Sequence, residues 1–228
     1  MDEFVCQCEE RFRAACGGLP VYAEHDGRRY CILHFPSKEK EGDVQFQEVL
    51  TRKLEYQDFD FAGVYFPGYR TDFASFDFES MANFSEATFE WGASFARTTF
   101  RKGASFSGAT FEDIAVFSQA TFKEEADFSG VTFDGMAHFS GATFGKVASF
   151  SATVFKEALF FWTTFEERAD FSGATFRERA SLAGATFEDG VDFFGATFEE
   201  GLVFSKATFE DAAVSEATFK GGKSMYQV

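Results

Sequence analysis

Large apolar side chains recur along most of this chain at alternating steps of five and six residues. From about residue 59 to residue 219 nearly all of them are Phe, and the repeating unit is eleven residues long. Representative units are ASFSGATFEDI (104–114), ADFSGVTFDGM (126–136), AHFSGATFGKV (137–147) and ADFSGATFRER (169–179). Leu182 and Val214 take the place of Phe at two steps. Such a period indicates an array of one short, repeated structure.

Neither regular secondary structure explains this spacing. At about 100° per residue, steps of five and six scatter the Phe side chains around a helix, and strict two-residue alternation also fails. The steps fit short extended segments separated by turns, with one large side chain inward per segment. A small residue lies two positions before almost every Phe, as at Ala104, Ala126 and Ala169. Small residues beside large ones suit a narrow, filled interior.

The units A-D-F-S-G and A-N-F-S-E resemble the pentapeptide-repeat family, whose consensus is Ala, Asp or Asn, Leu or Phe, and two variable residues. The resemblance implies an all-β solenoid: a right-handed quadrilateral β-helix with about four repeats per coil and a Phe-stacked core. Every second repeat is one residue longer here, so we expect seven or eight coils of about 22 residues with bulges at alternate corners. The phase slips from Phe66 to Phe73, from Phe155 to Phe165 and from Phe209 to Val214.

Changes in composition divide the chain into four parts. Residues 1–40 hold all four cysteines and two of the three histidines, which predicts a small Cys/His-rich module. Residues 41–57 have a helical pattern, residues 58–219 form the predicted β-helix, and residues 220–228 are a tail.

The segment 41–57 predicts a capping α-helix. Phe46, Val49, Leu50 and Leu54 fall on one helical face, with charged residues elsewhere. An open β-helix end exposes apolar rings and unpaired backbone groups, so an amphipathic helix directly before the first coil is expected to cover it.

Five potential metal ligands, Cys6, Cys8, Cys16, Cys31 and His34, lie within about thirty residues. The two-residue gap between Cys31 and His34 lets a turn present a thiolate and an imidazole to one tetrahedral zinc ion. We interpret the group as a structural zinc site with one surplus thiol, in which Cys6 or Cys8 completes a set with the other three. The alternatives are disulfides and buried free cysteines. The Y-C-I-x-H element also resembles a short leader found before some bacterial pentapeptide-repeat proteins.

Composition and charge narrow the function classes. The chain has 36 Phe and a net charge of −16, which argues against direct nucleic-acid binding because Lys and Arg must supply phosphate contacts. No apolar run approaches the roughly 18 residues of a membrane span. The start MDEFVCQCEERFR lacks the basic and apolar regions of a secretory signal. We therefore expect a cytoplasmic protein with no membrane association.

No recognisable catalytic motif is present, and GGKS at 221–224 lacks both the first glycine and the helix of a phosphate-binding loop. We expect a non-enzymatic, rigid protein-interaction scaffold whose protein partner is unknown. The family resemblance supplies an alternative, a DNA-mimicking regulator or inhibitor of DNA gyrase or topoisomerase, because some members imitate duplex DNA. Bases such as Arg101, Lys102 and Lys146 interrupt the acidic edges that mimicry would need.

The final coil is also expected to need a cover. The tail after Phe219 is too short for a second capping helix, so a C-terminal end-to-end homodimer is expected. The alternative is a minimal plug formed by Met225 and Tyr226.

Overall fold

The computed structural model describes residues 5–68, 71–210, 212–213 and 216–220. Val214 and the tail residues 221–228, including the proposed plug, lie outside the described residues. The elements before the solenoid are the 3-10 helix Glu10–Cys16, the antiparallel hairpin Ala23–His25 and Arg28–Tyr30, the 3-10 helix Lys38–Lys40 and the α-helix Val44–Glu55. Within the described ranges, no helix is long and apolar enough to cross a membrane.

From Tyr65 onward the chain winds through short parallel strands that stack, coil on coil, into four faces. The first face consists of Ala82–Asn83, Ala104–Ser105, Ala126–Asp127, Ala148–Ser149, Ala169–Asp170, Val191–Asp192 and Ala212–Ala213. The second face contains Tyr65–Phe66, Thr88–Phe89, Thr110–Phe111, Thr175–Phe176, Thr197–Phe198 and Thr218–Phe219. The third face contains Thr71–Asp72, Ala93–Ser94, Ala115–Val116, Ala180–Ser181 and Leu202–Val203. The longer strands Thr132–His138 and Val154–Leu159 run through the second and third faces. The fourth face consists of Asp77–Phe78, Thr99–Phe100, Thr121–Phe122, Thr143–Phe144, Thr164–Phe165, Thr186–Phe187 and Thr208–Phe209.

Stacked Phe rings fill the interior, one column behind each face. Phe133 has no exposed surface, and its ring centroid lies 5.0 Å from that of Phe111 and 5.2 Å from that of Phe155. These pairs are nearly parallel, with interplanar angles of 13° and 7°. Rings of the opposite first-face and third-face columns meet edge to face, as for Phe106 and Phe117 at 86°. The predicted Phe-stacked β-solenoid is confirmed.

Tight and lengthened corners alternate around each coil. At a tight corner the second turn residue has a left-handed backbone, as at Gly108 with φ 67°, which explains the recurring Ser-Gly pair. Lengthened corners lie between the second and third faces and between the fourth and first faces, diagonally opposed as predicted. At one phase slip, the strand Val154–Leu159 passes the corner without interruption, and its register shifts between Phe133 and Met136 of the preceding coil.

The α-helix caps the first coil, as predicted. Phe46 and Val49 are buried, while Leu50 and Leu54 are partly buried against the same core. The Phe46 ring meets the Phe66 ring of the first coil edge to face, at 6.1 Å and 82°. The apolar stripe of the helix therefore continues the Phe core.

The position of Lys53 differs from the sequence prediction. The helical pattern places this residue among the charged side chains that face solvent. The side chain is buried, and its Nζ atom lies 2.5 Å from Oδ2 of Asp58 and 3.4 Å from the Ala15 carbonyl oxygen. A long aliphatic stem packs well against apolar neighbours while the ammonium group reaches a carboxylate.

Candidate metal centre

Three separate segments bring the predicted ligands together. Cys6 and Cys8 precede the 3-10 helix Glu10–Cys16, and Cys16 is its last residue. The hairpin leads directly into the turn that holds Cys31 and His34. The segment before the 3-10 helix is held beside the hairpin, since the Gln7 N–H donates to the Arg29 carbonyl oxygen at 2.8 Å.

Cys16, Cys31 and His34 form a closed triangle. The Sγ atoms of Cys16 and Cys31 are 3.6 Å apart, and His34 Nδ1 lies 3.3 Å and 3.4 Å from them. Bond lengths of about 2.3 Å to sulfur and 2.0–2.1 Å to nitrogen give tetrahedral edges of about 3.8 Å and 3.6 Å. The triangle is therefore within about 0.3 Å of one face of a zinc tetrahedron.

Cys6 and Cys8 complete a group of five donors. The donor atoms of Cys6, Cys8, Cys16 and His34 all lie within 4.8 Å of one another, so these four residues could hold a metal ion. Cys31 is not in that group of four, but its sulfur lies 3.6 Å from Sγ of Cys16 and 3.4 Å from Nδ1 of His34. It is therefore an alternative to Cys8 as the fourth ligand. All four cysteines are free thiols.

The imidazole of His34 is fixed by a backbone group of the solenoid. Its Nε2 atom lies 2.9 Å from the Ala62 carbonyl oxygen, which can accept only from a protonated nitrogen. In the neutral imidazole this contact leaves Nδ1 without a proton and directed at the thiols, the arrangement found for metal-binding histidines. Burial alone would lower the pKa of His34, but hydrogen bonds to the Cys31 and Cys6 sulfurs outweigh it and raise the pKa to about 9.

The thiols are not equivalent. Hydrogen bonds from Cys16 and Cys31 lower the pKa of Cys6, whose sulfur also accepts the Cys31 backbone N–H at 3.2 Å. Hydrogen bonds to Cys31 and Cys6 raise the pKa of Cys16. Burial raises the pKa of Cys8 to about 12, although this residue is only partly buried. Cys6 is therefore the sulfur best prepared to act as a thiolate ligand.

A buried lysine holds the turn that carries Cys31 and His34. Nζ of Lys40 donates to the carbonyl oxygens of Ile32 and Leu33 at 2.8 Å and 2.7 Å, and Lys40 has no exposed surface. Burial lowers the pKa of Lys40 well below its usual value. The sequence did not indicate this role, because Lys40 stands in a run of charged residues, SKEKEGD, which is typical of a solvated loop.

The module is joined to the solenoid at several points around the centre. The Phe12 ring stacks on His34 at 11° and lies against the Cα of Gly63, where a side chain would collide with it. Arg11 forms an ion pair with Glu86 of the solenoid. The donor cluster therefore lies between the N-terminal module and the first coil.

A four-sided solenoid with one inward Phe per side and a small residue two positions earlier defines a repeat protein built from five-residue units. The family model described as "Pentapeptide repeats (9 copies)" matches residues 95–143, 106–154, 135–186 and 182–226, which together exceed half of the chain. The chain belongs to the pentapeptide-repeat family. No curated protein matches the chain.

Proposed function

We propose that this protein is a non-enzymatic, rigid protein-interaction scaffold whose N-terminal end is fixed by a structural zinc ion. The continuous Phe core carries the proposal. The four columns fill the interior of the solenoid with nearly identical side chains. The side chains that differ from coil to coil therefore lie on the outer surface. Parallel strands in register and close-packed rings favour a surface of fixed shape, which suits docking of a protein partner.

The donor chemistry supports zinc at the cluster. Thiolate and imidazole ligands at tetrahedral spacing are typical of structural zinc sites. Cys6, Cys16, Cys31 and His34 would hold the ion. They come from three separate segments: the stretch before the first 3-10 helix, the last residue of that helix, and the turn after the hairpin. A bound ion would link these segments, so its binding energy would add to the stability of the capping module.

The third face is the proposed contact surface. Of the positions one residue before each inward aromatic or Leu, Asp72 is exposed and Val116, His138 and Val203 are partly exposed, whereas Ser94, Leu159 and Ser181 are buried. The matching positions repeat Thr on the second and fourth faces, apart from Tyr65, Val154 and Asp77, and Asn, Ser or Asp on the first, apart from Ala213. The third face thus adds the partly exposed Val116 and Val203 to its surface, and exposed apolar side chains are typical of a protein-binding surface.

Trp162 marks the edge of this face. It follows the third-face residue Phe160, its side chain is 67% exposed, and the indole lies against Gly184 of the next coil. Phe194, which is 48% exposed, follows the first-face residue Phe193 on the opposite side of the solenoid. The two aromatics provide a matched pair of surface variants.

The test is affinity capture with quantitative mass spectrometry, using the full chain as bait. Trp162→Asn and Phe194→Asn are compared with the unmodified chain, because Asn tolerates the left-handed backbone of Trp162 at φ 57°. Partners lost with the first variant and retained with the second would support the third face. Equal recovery with both variants would exclude it, and no enrichment over bait-free resin would contradict the scaffold.

DNA mimicry is tested in parallel. Exposed bases form ion pairs between adjacent coils, among them Arg101 with Asp77 and Arg179 with Glu157, and they reduce the negative charge of the edges. This pattern favours the scaffold over the alternative. Salt-sensitive inhibition of supercoiling by purified DNA gyrase would favour the mimic instead.

A further inference from the structure

The metal centre has more donors than a zinc ion needs. A structural zinc ion takes four ligands, and Cys6, Cys8, Cys16, Cys31 and His34 offer five. One thiol is therefore surplus and remains available for other chemistry. This inference rests on the zinc centre proposed above.

Burial and hydrogen bonding identify the surplus thiol as Cys8. Cys31 has no exposed surface, and its sulfur occupies a corner of the triangle with Cys16 and His34. Cys6 is buried, and its sulfur receives a backbone N–H that would stabilise a metal-bound thiolate. Of the four cysteines, all of which are described, Cys8 is the one that is not fully buried.

Cys8 lies next to a ligand with which it can form a bond. Its Sγ atom is 3.8 Å from Sγ of Cys16, whereas a disulfide requires about 2.05 Å. Cys8 precedes the 3-10 helix and Cys16 is the last residue of it, so the N-terminal segment can move the remaining distance without breaking the helix.

Cys16 borders a cavity. An open cavity of about 370 Å³ lies beside the cluster, and Cys16, Gly17 and Gly18 are among the residues that line it. A hydroperoxide can therefore approach this side of the centre.

We propose that Cys8 and Cys16 form a peroxide-sensitive pair that releases the zinc ion on oxidation. The Cys16 thiolate attacks one oxygen of hydrogen peroxide, the O–O bond breaks, and hydroxide leaves to give a sulfenic acid. The Cys8 thiol then attacks that sulfur, and its proton departs with the displaced hydroxyl as water. The two sulfurs supply the two electrons that reduce the peroxide. The disulfide removes Cys16 from the ligand set. The remaining ligands bind the zinc ion more weakly, and the ion dissociates.

The test uses the zinc-loaded full chain and hydrogen peroxide, with released zinc followed by a chromogenic chelator. We expect Cys8→Ser to bind one zinc ion, as the unmodified chain does, and to release it at least tenfold more slowly under peroxide. Cys6→Ser is the matched control, because it removes a ligand and should hold zinc poorly before any oxidant is added. Loss of zinc from Cys8→Ser without oxidant, or release as fast as in the unmodified chain, would overturn the inference.

Mass spectrometry supplies the second measurement. Trypsin cleaves after Arg11 and Arg13, between the two cysteines, so a Cys8–Cys16 disulfide joins two separate peptides. Because Cys6 lies in the same peptide as Cys8, fragmentation of the linked pair assigns the bond. We expect the bond at Cys8 in peroxide-treated protein and its disappearance after reduction. A different pairing would overturn the inference while leaving the zinc centre intact. A chain that binds no zinc before oxidation would overturn the centre itself.

Discussion

His34 donates its Nε2–H to the carbonyl oxygen of Ala62 at 2.9 Å, so the imidazole of the Cys/His cluster is fixed to the first coil of the solenoid. The contact couples the two parts of the chain. The first coil sets the direction of the imidazole, and a metal ion bound to its other nitrogen would hold the capping module against that coil.

Removal of the ring of Phe133 should weaken the solenoid at mid-length. Phe133→Ala leaves a cavity between Phe111 and Phe155, and we expect a loss of about 3–5 kcal/mol in the free energy of unfolding. Thr132→Ala, at the adjacent outward position, is the control and should change stability by about 0.5 kcal/mol or less. Denaturant unfolding measures both. Equal effects of the two variants would contradict the stacked interior.

Removal of two ligands should release the metal and spare the solenoid. We expect about one zinc ion per chain in protein purified under reducing conditions, and none in the Cys31→Ser, His34→Ala double variant. Circular dichroism should still report the β-structure, because the Phe columns do not depend on the ion. His25→Ala, which removes a partly exposed histidine of the same module, should keep the metal. Elemental analysis that finds no zinc in fresh protein would contradict the centre.

Lys40 should be essential for the turn that carries Cys31 and His34. Lys40→Met keeps the aliphatic stem and leaves the Ile32 and Leu33 carbonyls without their donor, which should cost about 1–3 kcal/mol. Faster loss of zinc to a chelator would report the loosened turn. Lys38→Met, at an exposed position nearby, is the control, and indistinguishable zinc loss from the two variants would show that Lys40 does not hold the turn.

Glu112 should give stability a pH dependence. Partial desolvation of this exposed side chain, with Glu90 and Asp134 on the adjacent coils, raises the pKa of Glu112. Such a carboxyl stabilises the fold below its unfolded-state pKa, and this contribution is lost as pH rises through the raised folded-state pKa. Glu112→Gln should therefore match the unmodified chain near pH 3 and melt about 1–2 °C higher at pH 7. A lower melting temperature at pH 7 would show that the assigned sign is wrong.

The last described coil should associate with a second copy. Phe209 and Phe219 are 38% and 50% exposed, unlike the buried Phe of the central coils. An end-to-end two-fold dimer would cover these rings, and Phe219→Lys should abolish it. Light scattering at micromolar concentration measures the mass, with Phe194→Asn as a control that should stay dimeric. A monomeric mass for the unmodified chain would exclude the stable dimer.

Much of the solenoid was determined by the sequence alone. The eleven-residue period places one Phe on every side of a coil, and the identical side chains at Phe111, Phe133 and Phe155 can stack only if successive coils stay in register. The apolar stripe of Phe46 and Val49 likewise identified the capping helix. These features are readable because each depends on a periodicity along the chain.

Tertiary structure alone decided how the N-terminal module is used. The sequence placed five potential ligands near one another, but it left Cys6 and Cys8 equivalent. Folding distinguished them by burial and by the Cys31 N–H that reaches Cys6. The same is true of Lys40 and of Ala62, whose roles depend on backbone carbonyls brought close from other segments. Such contacts have no period and no residue-type signature, because a carbonyl is present at every position and only the fold determines which one a donor meets.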